Sequence, residues 1–478
     1  MRSKKWLVPA LLALLGFLTL AGVSFYYFPV MGHDFYLIFT WANDYHFAWQ
    51  NFGVFNVLFT PQRCLGVPVW ANPSMANFSL FHVLAAFLKD THVVLAMLGI
   101  YSVAGFWGTR RLLGLFEVEE NWKNYFSLGW VLQGFVVAHA IVGHLGFVTI
   151  CLWPLYTYLL LRPEKNRKTT LLGLGLFGVL ISHDFYLAMV YQYAMYPLSF
   201  LLLLLTLRYF DRTRDLRCPG VKFLGGMFVS IFIILPKALA VLSFVRNYQR
   251  SVHFALIRPW GSLEYALLSK VFPIPLDYQK MVGWNYGNWE STNYLYPGLV
   301  LIFFLTVCVR FRQHQKLAIS TLVLLLLGAF ITSGAYGGLV KHLPVVKSFH
   351  VNPRWLPILH IPLLYLLVRF VREIRLPRMI LPLLILFNVG VSFLLLDRKS
   401  MYLTYQYGDA YNPETNRALT CYEPVFGYNL ELFPWKEAKK GQWLDPRCYL
   451  SEKKCESMLL PEEKIPELLN YSLRPFDK

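Results

Sequence analysis

An acidic side chain stands just after the first long apolar segment of the chain, where it could act on a substrate. Asp34 follows His33 and begins a polar segment that reaches Pro73. An unpaired carboxylate at the edge of a membrane is costly, and a carboxylate is also a competent general base for a hydroxyl proton. Asp34 is therefore our candidate for a catalytic base. The alternatives are that it caps a helix or pairs with a loop arginine.

Cations on other predicted outer segments would supply the second half of this chemistry. Arginine and lysine at a membrane surface suit a phosphate or diphosphate, and the arginine fork binds such groups in a bidentate manner. A carboxylate with such cations describes a site for a lipid-linked phosphate and an acceptor hydroxyl. For Arg354 the alternative is a side chain that simply extends to the membrane surface. The candidate phosphate-binding residues are Lys237, Arg246, Arg258 and Arg354.

The composition indicates a membrane protein. The chain has 478 residues, of which 56% are hydrophobic and only 15% charged, whereas a soluble chain carries about 25% charged residues. Apolar runs such as Trp6–Phe28 and Met379–Leu396 fit a bilayer core about 30 Å thick. We therefore predict an all-α polytopic membrane protein, in contact with membrane lipids. The net charge of +18 is better explained by basic loops that orient helices than by a nucleic-acid partner.

The spacing of the basic clusters predicts about eleven transmembrane helices. If every cluster is cytoplasmic, two crossings separate each pair of neighbours, and one more follows the last cluster at about 379–396. The N-terminus is then inside and the C-terminus outside. The clusters are Arg2–Lys5, Arg110–Lys123, Arg162–Lys168, Arg208–Lys222, Arg310–Lys316 and Arg369–Arg378.

The chain divides into two predicted domains. Residues 1–396 form the transmembrane domain, whose first outer loop is 29–91. Within that loop, Met75–Leu88 is apolar but too short to span, and we interpret it as a re-entrant or interfacial helix. The tail, 397–478, is polar and aromatic, which predicts a small outer α+β domain. A domain of that size is better stabilised with a disulfide than by a core alone.

The cysteines agree with this topology. Of seven in the chain, four fall in predicted outer segments, where an oxidising compartment favours disulfides. Four cysteines allow three connectivities. We favour Cys448–Cys455, with Cys64–Cys421 joining the tail to the first outer loop; the alternative is that some stay free thiols.

Several short motifs, weak one by one, occur in an order that resembles polytopic, lipid-carrier-dependent (C-type) glycosyltransferases. The resemblance covers most of residues 1–396 and is nearest to bacterial members known only as membrane proteins. It implies transfer of a sugar from a polyprenyl-phosphate or polyprenyl-diphosphate carrier to a hydroxyl, on the outer face. The motifs are Gly32-His33-Asp34, Pro61–Pro68, Asn72-Pro73, Gly134–His144, Trp289-Glu290, Tyr296–Gly298 and Asn352–Trp355.

The resemblance also implies roles for particular residues. Asp34 would be the base, or would position the acceptor, and His33 would tune or orient it. Arg354 and Lys237 would contact the carrier phosphate. The acceptor would be a glycan or lipid of the cell envelope, and the protein would lie in a bacterial inner membrane with its active face on the periplasmic or extracellular side.

The chain departs from the family pattern in its acids. Many members have two adjacent acids in the first outer loop, where this chain has His33-Asp34, and many have an acid in the second outer loop, where it has His139 and His144. A divalent cation could serve as cofactor, bound by these histidines with His183 and Asp184, although structural histidines are the commoner case and we assign no metal ligands. The candidates for a second acid are Glu290, Asp184 and Asp44.

Two other functions compete with sugar transfer. A transporter or flippase of lipid-linked saccharides would place charge within several spans along a path, and the sequence puts few charges there. A non-catalytic envelope-assembly protein would bind a partner through its outer tail, and would then tolerate the loss of Asp34.

Overall fold

The structure is a computed structural model, and it describes a large part of the chain. The described residues are 4–25, 38, 42, 45–46, 49, 79–88, 90–163, 166–182, 191–212, 215–247, 270, 293–333, 352–394, 443–444 and 459–460.

These residues are almost entirely helical. Several long helices are extended by turns of another helix type: a 3-10 turn at Thr149–Leu152, a π-helical turn at Tyr191–Met195, and 3-10 segments at Asn352–Leu359 and Arg378–Ile380. The α-helices are α1 (Lys4–Phe25), α2 (Leu80–Phe87), α3 (Asp90–Leu115), α4 (Glu120–Val131), α5 (Gly134–Val142), α6 (Leu145–Val148), α7 (Trp153–Leu161), α8 (Arg167–Ser182), α9 (Tyr196–Phe210), α10 (Arg217–Asn247), α11 (Pro297–Val309), α12 (Gln315–Ser333), α13 (His360–Ile374) and α14 (Leu381–Leu394).

Within the described part of the chain, five helices are long and apolar enough to cross a membrane: Trp6–Ser24, His92–Leu115, Tyr193–Phe210, Arg217–Ala240 and Arg354–Ile374. Shorter apolar helices accompany them at Leu145–Leu161, Pro297–Val309, Gln315–Ile331 and Arg378–Phe393. Their exposed side chains are largely leucine, isoleucine, valine and phenylalanine, as expected for surfaces that face lipid. The coarse prediction of a helical protein with apolar, membrane-type helices is therefore supported by the fold.

Ion pairs gather the ends of α3, α4 and α14 at one end of the helical bundle. Arg110, near the end of α3, pairs with Glu120 at the start of α4, with Nη2 and Oε2 2.7 Å apart. Lys123 pairs with the same carboxylate at 2.8 Å. Arg378, just before α14, pairs with Glu119 at 2.6 Å. Two of the predicted basic clusters thus meet directly.

Contacts of the later helices fall at the same end. His314, between α11 and α12, lies 3.4 Å from the carboxylate of Glu373 in the last turn of α13. Arg369, one turn earlier in α13, places its guanidinium 5.4 Å from the ring centroid of Phe210, the last residue of α9. The ends of α9, α11 and α13 and the start of α12 therefore lie together.

The remaining clusters join them. Lys222, in the second turn of α10, donates to the carbonyl of Arg162 at the end of α7, at 2.6 Å. Trp6 in α1 packs on Trp107 in α3, with ring centroids 5.5 Å apart. We call this the basic end of the bundle, defined by Trp6, Arg110, Lys123, Arg162, Arg208, Lys222, Arg310, Lys316, Arg369 and Arg378.

Glycines allow close helix packing above the basic end. A Cβ at Gly108 of α3 would lie 2.5 Å from Leu155 Cβ and 2.9 Å from its backbone in α7. Similar close approaches occur between α8 and α10, where a Cβ at Gly175 would lie 2.3 Å from Val229 Cγ1. Small residues at such contacts are typical of helices that associate in a membrane.

Gly108→Ala is expected to lower the free energy of unfolding by about 1–3 kcal/mol, because the added methyl group must displace the α7 backbone. The matched control is Gly114→Ala in the same helix, where a Cβ meets nothing within 4 Å, so that only the higher helix propensity of alanine acts. Thermal unfolding of the purified protein in detergent measures both. Equal midpoints for the two variants would contradict the close packing of α3 on α7.

The fold corrects two details of the predicted loops. The sequence predicts a long outer loop over about 243–295, with Lys237 at its entry, but α10 continues to Asn247. Lys237 is thus inside a helix, directly after Pro236, and Arg246 lies in its last turn. Membrane helices tolerate such a proline because neighbouring groups satisfy the freed carbonyl.

The other predicted segments are described only in part. The proposed re-entrant helix is the eight-residue α2, which is too short to span; Ser79 caps it by accepting a hydrogen bond from the His82 backbone at 3.2 Å. In the tail, Trp443-Leu444 pairs with Leu459-Leu460 in an antiparallel ladder. The predicted disulfide cysteines, Cys64, Cys421, Cys448 and Cys455, lie outside the described residues.

Candidate functional site

Arg354 and two histidines form a compact group between α5 and the 3-10 segment before α13. The His139 and His144 rings have centroids 5.7 Å apart, on either side of the turn at Gly143. Gly143 adopts a left-handed φ of 88°, which ends α5. Phe147 packs 4.3 Å from the ring of His139, and the Arg354 guanidinium lies 5.4 Å from the centroid of Phe147. The charge of Arg354 is close enough to His139 to interact with it electrostatically.

This group lies far from the basic end. Along α4 and α5, the 20 residues from Glu120 to His139 correspond to about 30 Å at 1.5 Å per residue. The path from Ile374 back through α13 and the 3-10 segment to Arg354 gives about 35 Å, since the 3-10 rise is about 2 Å per residue. Lys237 lies at a similar height on α10, which starts at Arg217. The two predicted phosphate-binding residues whose side chains the structure describes, Lys237 and Arg354, are therefore both remote from the basic end.

Lys237 is nearly fully buried and interacts electrostatically with His82 of α2. His82 in turn packs on residues of the first predicted outer loop: its ring centroid lies 4.5 Å from that of Tyr45 and 6.2 Å from that of Trp49. His46 contacts the backbone of α2 as well, with Nδ1 3.1 Å from the carbonyl oxygen of Ala85. This part of the first outer loop thus packs on α2, beside the buried lysine.

Acidification is expected to destabilise this packing. Burial, together with the nearby charge of Lys237, lowers the pKa of His82 from 6.5 to about 4. Between these values an unfolded chain binds a proton that the folded protein does not, so the free energy of unfolding falls as the pH drops from about 6.5 towards 4. Thermal unfolding from about pH 7 to about pH 5 should show this loss, and His82→Phe, which keeps a stacked ring, should reduce it.

The control for that series is His92→Gln, since the His92 side chain is exposed on α3 and should leave the wild-type pH dependence in place. A His82→Phe protein that loses as much stability on acidification as the wild type would show that another group is responsible.

A second polar group, which the sequence did not predict as a site, is completely buried between helices. Lys270 Nζ lies 3.0 Å from His360 Nε2 and donates to the carbonyl oxygen of Asn293 at 3.3 Å. His360 Nδ1 contacts Gln133 Oε1, and Gln133 Nε2 donates to the carbonyl oxygen of Trp130 at 3.0 Å. None of these side chains is more than 2% exposed.

The hydrogen-bond pattern fixes the tautomer of His360. Because Gln133 donates through Nε2, its Oε1 accepts, and His360 Nδ1 must carry the hydrogen. In a neutral ring, Nε2 is then the acceptor for Lys270. In the sequence, one indication of this group is a histidine within an apolar run before Pro362. Polar groups in membrane helices are costly and often functional.

The other predicted site residues cannot be placed in this geometry. Among the described residues, Lys237 interacts with His82 and Arg354 with Phe147 and His139. The side chain of Arg246 is not described. The proposed base Asp34, its neighbour His33, the phosphate-binding candidate Arg258, and the second-acid candidates Glu290, Asp184 and Asp44 lie outside the described residues.

Metal binding has no support from the part of the chain that the structure describes, where no three His, Cys, Asp or Glu residues are grouped to hold an ion. His183, which the metal hypothesis needs, lies outside that part. Comparison with protein-family models, curated proteins and solved structures found no match to this chain.

Proposed function

We propose that the chain is a membrane glycosyltransferase that takes a sugar from a polyprenyl-phosphate or polyprenyl-diphosphate carrier and passes it to a hydroxyl of an envelope glycan or lipid. The observation that carries the proposal is the group of Arg354, His139 and His144, about 30 Å from the basic end. A guanidinium held over an aromatic ring keeps its charge and directs its donors sideways. Such a group suits a carrier phosphate that arrives from the lipid.

The proposed topology follows from the same distance. A bilayer core is about 30 Å thick, so a basic end at the cytoplasmic surface leaves the Arg354 group at the opposite surface. Counting α4 with α5, and α6 with α7, as single crossings and leaving out α2 gives eleven spans. The N-terminus would be inside, and the tail, with its disulfides, outside. A bacterial inner membrane with a periplasmic or extracellular active face fits this arrangement.

Cys218 offers a direct measurement of sidedness. It is exposed, unpaired and placed in the first turn of α10 at the basic end. In inverted vesicles a membrane-impermeant maleimide should label Cys218 at once, and in right-side-out vesicles only after permeabilisation. Cys218→Ser is the control that identifies its contribution to the labelling. Labelling of Cys218 from the outside of right-side-out vesicles would reverse the proposed topology.

The function is tested with the purified chain in proteoliposomes. Radiolabelled polyprenyl-phosphate sugars are supplied with a soluble hydroxyl acceptor, and the labelled product is separated from the lipid. Sugar transfer that depends on the protein supports the proposal. Intact donors that cross the bilayer without transfer would replace it with transport.

Transport is the second candidate because of Lys270 and His360. They lie about 20 Å from the basic end, since α13 contributes 15 residues of rise, which is within the proposed bilayer. Ionisable groups at that depth often mark a transport path. The proteoliposome experiment separates the two functions because it measures two things independently: whether the bond between sugar and carrier is broken, and on which side of the membrane the donor lies.

A further inference from the structure

Three helix interruptions meet at the buried Lys270 network. Gln133 stands in the break between α4 and α5, His360 is the first residue of α13 after a 3-10 segment, and Tyr296, with a left-handed φ of 50°, precedes α11. Their distances from the basic end agree: α4, α11 and α13 contain 12, 13 and 15 residues, which gives about 18–23 Å each. Interruptions at this depth need polar partners, because no water can satisfy their backbone groups.

Backbone groups of neighbouring segments supply two such partners. The Gly134 backbone N–H at the start of α5 donates to the carbonyl oxygen of Tyr294 at 2.8 Å, and the Leu295 N–H donates to the carbonyl oxygen of Lys270 at 3.2 Å. With the side chains of Gln133 and His360, the network closes from α5 to α13 through residues 270 and 293–295. Lys270 is therefore attached by both its backbone and its side chain.

The network also fixes the relation between two segments that lead to the candidate site. His139 follows Gln133 by six residues, and Arg354 precedes His360 by six residues. From the Gln133–His360 contact, α5 rises about 9 Å to His139 and the 3-10 segment about 12 Å to Arg354. At that height Phe147 contacts both His139 and Arg354. The two segments thus run side by side, joined at both ends.

We propose that Lys270, His360 and Gln133 form a positioning triad that fixes the register of residues 354–360 against α5 and so holds Arg354 beside His139. This inference rests on the proposed function, since it assigns the triad the task of placing the phosphate-binding arginine. None of the three residues touches the substrate. Lys270 orients His360, His360 donates through Nδ1 to Gln133, and Gln133 is anchored to the Trp130 carbonyl.

The first test measures structure alone. Hydrogen–deuterium exchange is followed in peptides covering residues 134–148 and 352–360 of the full-length protein in nanodiscs. Gln133→Leu and Lys270→Met are expected to speed exchange in both peptides, while residues 167–182 of α8, which pack mainly on α10, keep the wild-type rate. Unchanged exchange in both peptides would overturn the triad, whatever the enzyme does.

Conservative variants separate positioning from general stability. His360→Asn keeps a donor at the place of Nδ1 and loses the acceptor for Lys270. Gln133→Glu keeps the oxygen that accepts from His360 and loses the donor to the Trp130 carbonyl. Gln133→Glu should restore slow exchange relative to Gln133→Leu. If Gln133→Leu fails to fold, the exchange rates of His360→Asn are compared with those of the wild type instead. Thr157→Val is the control for the loss of a buried hydrogen bond elsewhere, because the Thr157 side chain bonds to Tyr196 in α9 at 2.9 Å.

The second test uses the transfer assay. Lys270→Met and Gln133→Leu should raise the KM for the donor by about tenfold to hundredfold, the effect of misplacing one charge-assisted contact, with a smaller change in kcat. Gln133→Glu, which keeps one of the two Gln133 bonds, should raise the KM less than Gln133→Leu does, and Thr157→Val should keep the wild-type KM. Loss of kcat at constant donor KM would contradict positioning of the phosphate-binding group. If the wild type transfers no sugar, the proposed function fails. The hydrogen–deuterium exchange experiment then tests by itself whether the triad fixes the register of residues 354–360 against α5.

Discussion

Replacing Asp34 by asparagine is expected to lower the rate of sugar transfer by about a hundredfold to ten-thousandfold, the usual contribution of a general base. The amide has nearly the shape of the carboxylate but cannot take the proton of an acceptor hydroxyl at neutral pH. Donor binding should change little, because the proposed phosphate contacts come from cations. The measurement is kcat with saturating donor in proteoliposomes.

The control for this variant is Asp215→Asn. Asp215 accepts a hydrogen bond from the Arg217 backbone at 2.9 Å and caps the start of α10 at the basic end, and asparagine caps a helix about as well as aspartate. It removes the same charge far from the proposed site and should leave kcat unchanged. Full activity of Asp34→Asn would remove the proposed base and would favour the helix-cap or ion-pair interpretation of Asp34.

Arg354→Gln is expected to raise the KM for the lipid-linked donor by about tenfold to hundredfold, because one charge-assisted bond to phosphate is worth about 1.5–3 kcal/mol. Arg354→Lys should show a smaller rise, since lysine keeps the charge but not the bidentate fork. The kcat at saturating donor should fall less than the affinity does.

Two controls accompany the Arg354 variants. Arg312→Gln removes an exposed arginine at the basic end and should leave the donor KM unchanged. Thermal unfolding should show only a small loss for Arg354→Gln, because a cation–π contact is worth about 0.5–1 kcal/mol when it is exposed. An unaltered donor KM in Arg354→Gln would mean that the side chain simply extends to the membrane surface.

The helix positions could be predicted closely because they depend on composition over long stretches. The apolar run Trp6–Phe28 became α1 at Lys4–Phe25, and Met379–Leu396 became α14 at Leu381–Leu394. The basic clusters also lie together, as a single orienting rule for all of them requires. Local hydrophobicity and charge are sufficient for such features.

The position of Lys237 was harder to predict because two local signals conflict there. Pro236 followed by lysine is typical of a helix end, yet α10 continues to Asn247. The burial of Lys237 depends on α2, which is distant in sequence. Contacts between segments that are distant in sequence therefore determine the burial of Lys237, which the local sequence pattern does not predict.

The Lys270 network could not be predicted from the sequence for the same reason. His360 follows Lys270 by 90 residues and follows Gln133 by 227 residues. Neither periodicity nor spacing links them. The break at Gln133-Gly134 and the isolated histidine before Pro362 are visible in the sequence, but neither identifies the partners of these residues.

The separation of these residues has a consequence for biogenesis. At about 5–20 residues per second, the ribosome needs about 10–45 s after Gln133 to reach His360. Under the topology that we propose, α4 and α5 enter the bilayer during that interval with a polar break whose partners, Lys270 and His360, have not been synthesised. The growing chain therefore needs the translocation machinery or another helix to shelter that break. Truncated chains that end before His360 should remain bound to the insertion apparatus and be degraded, whereas chains that include α13 should be released.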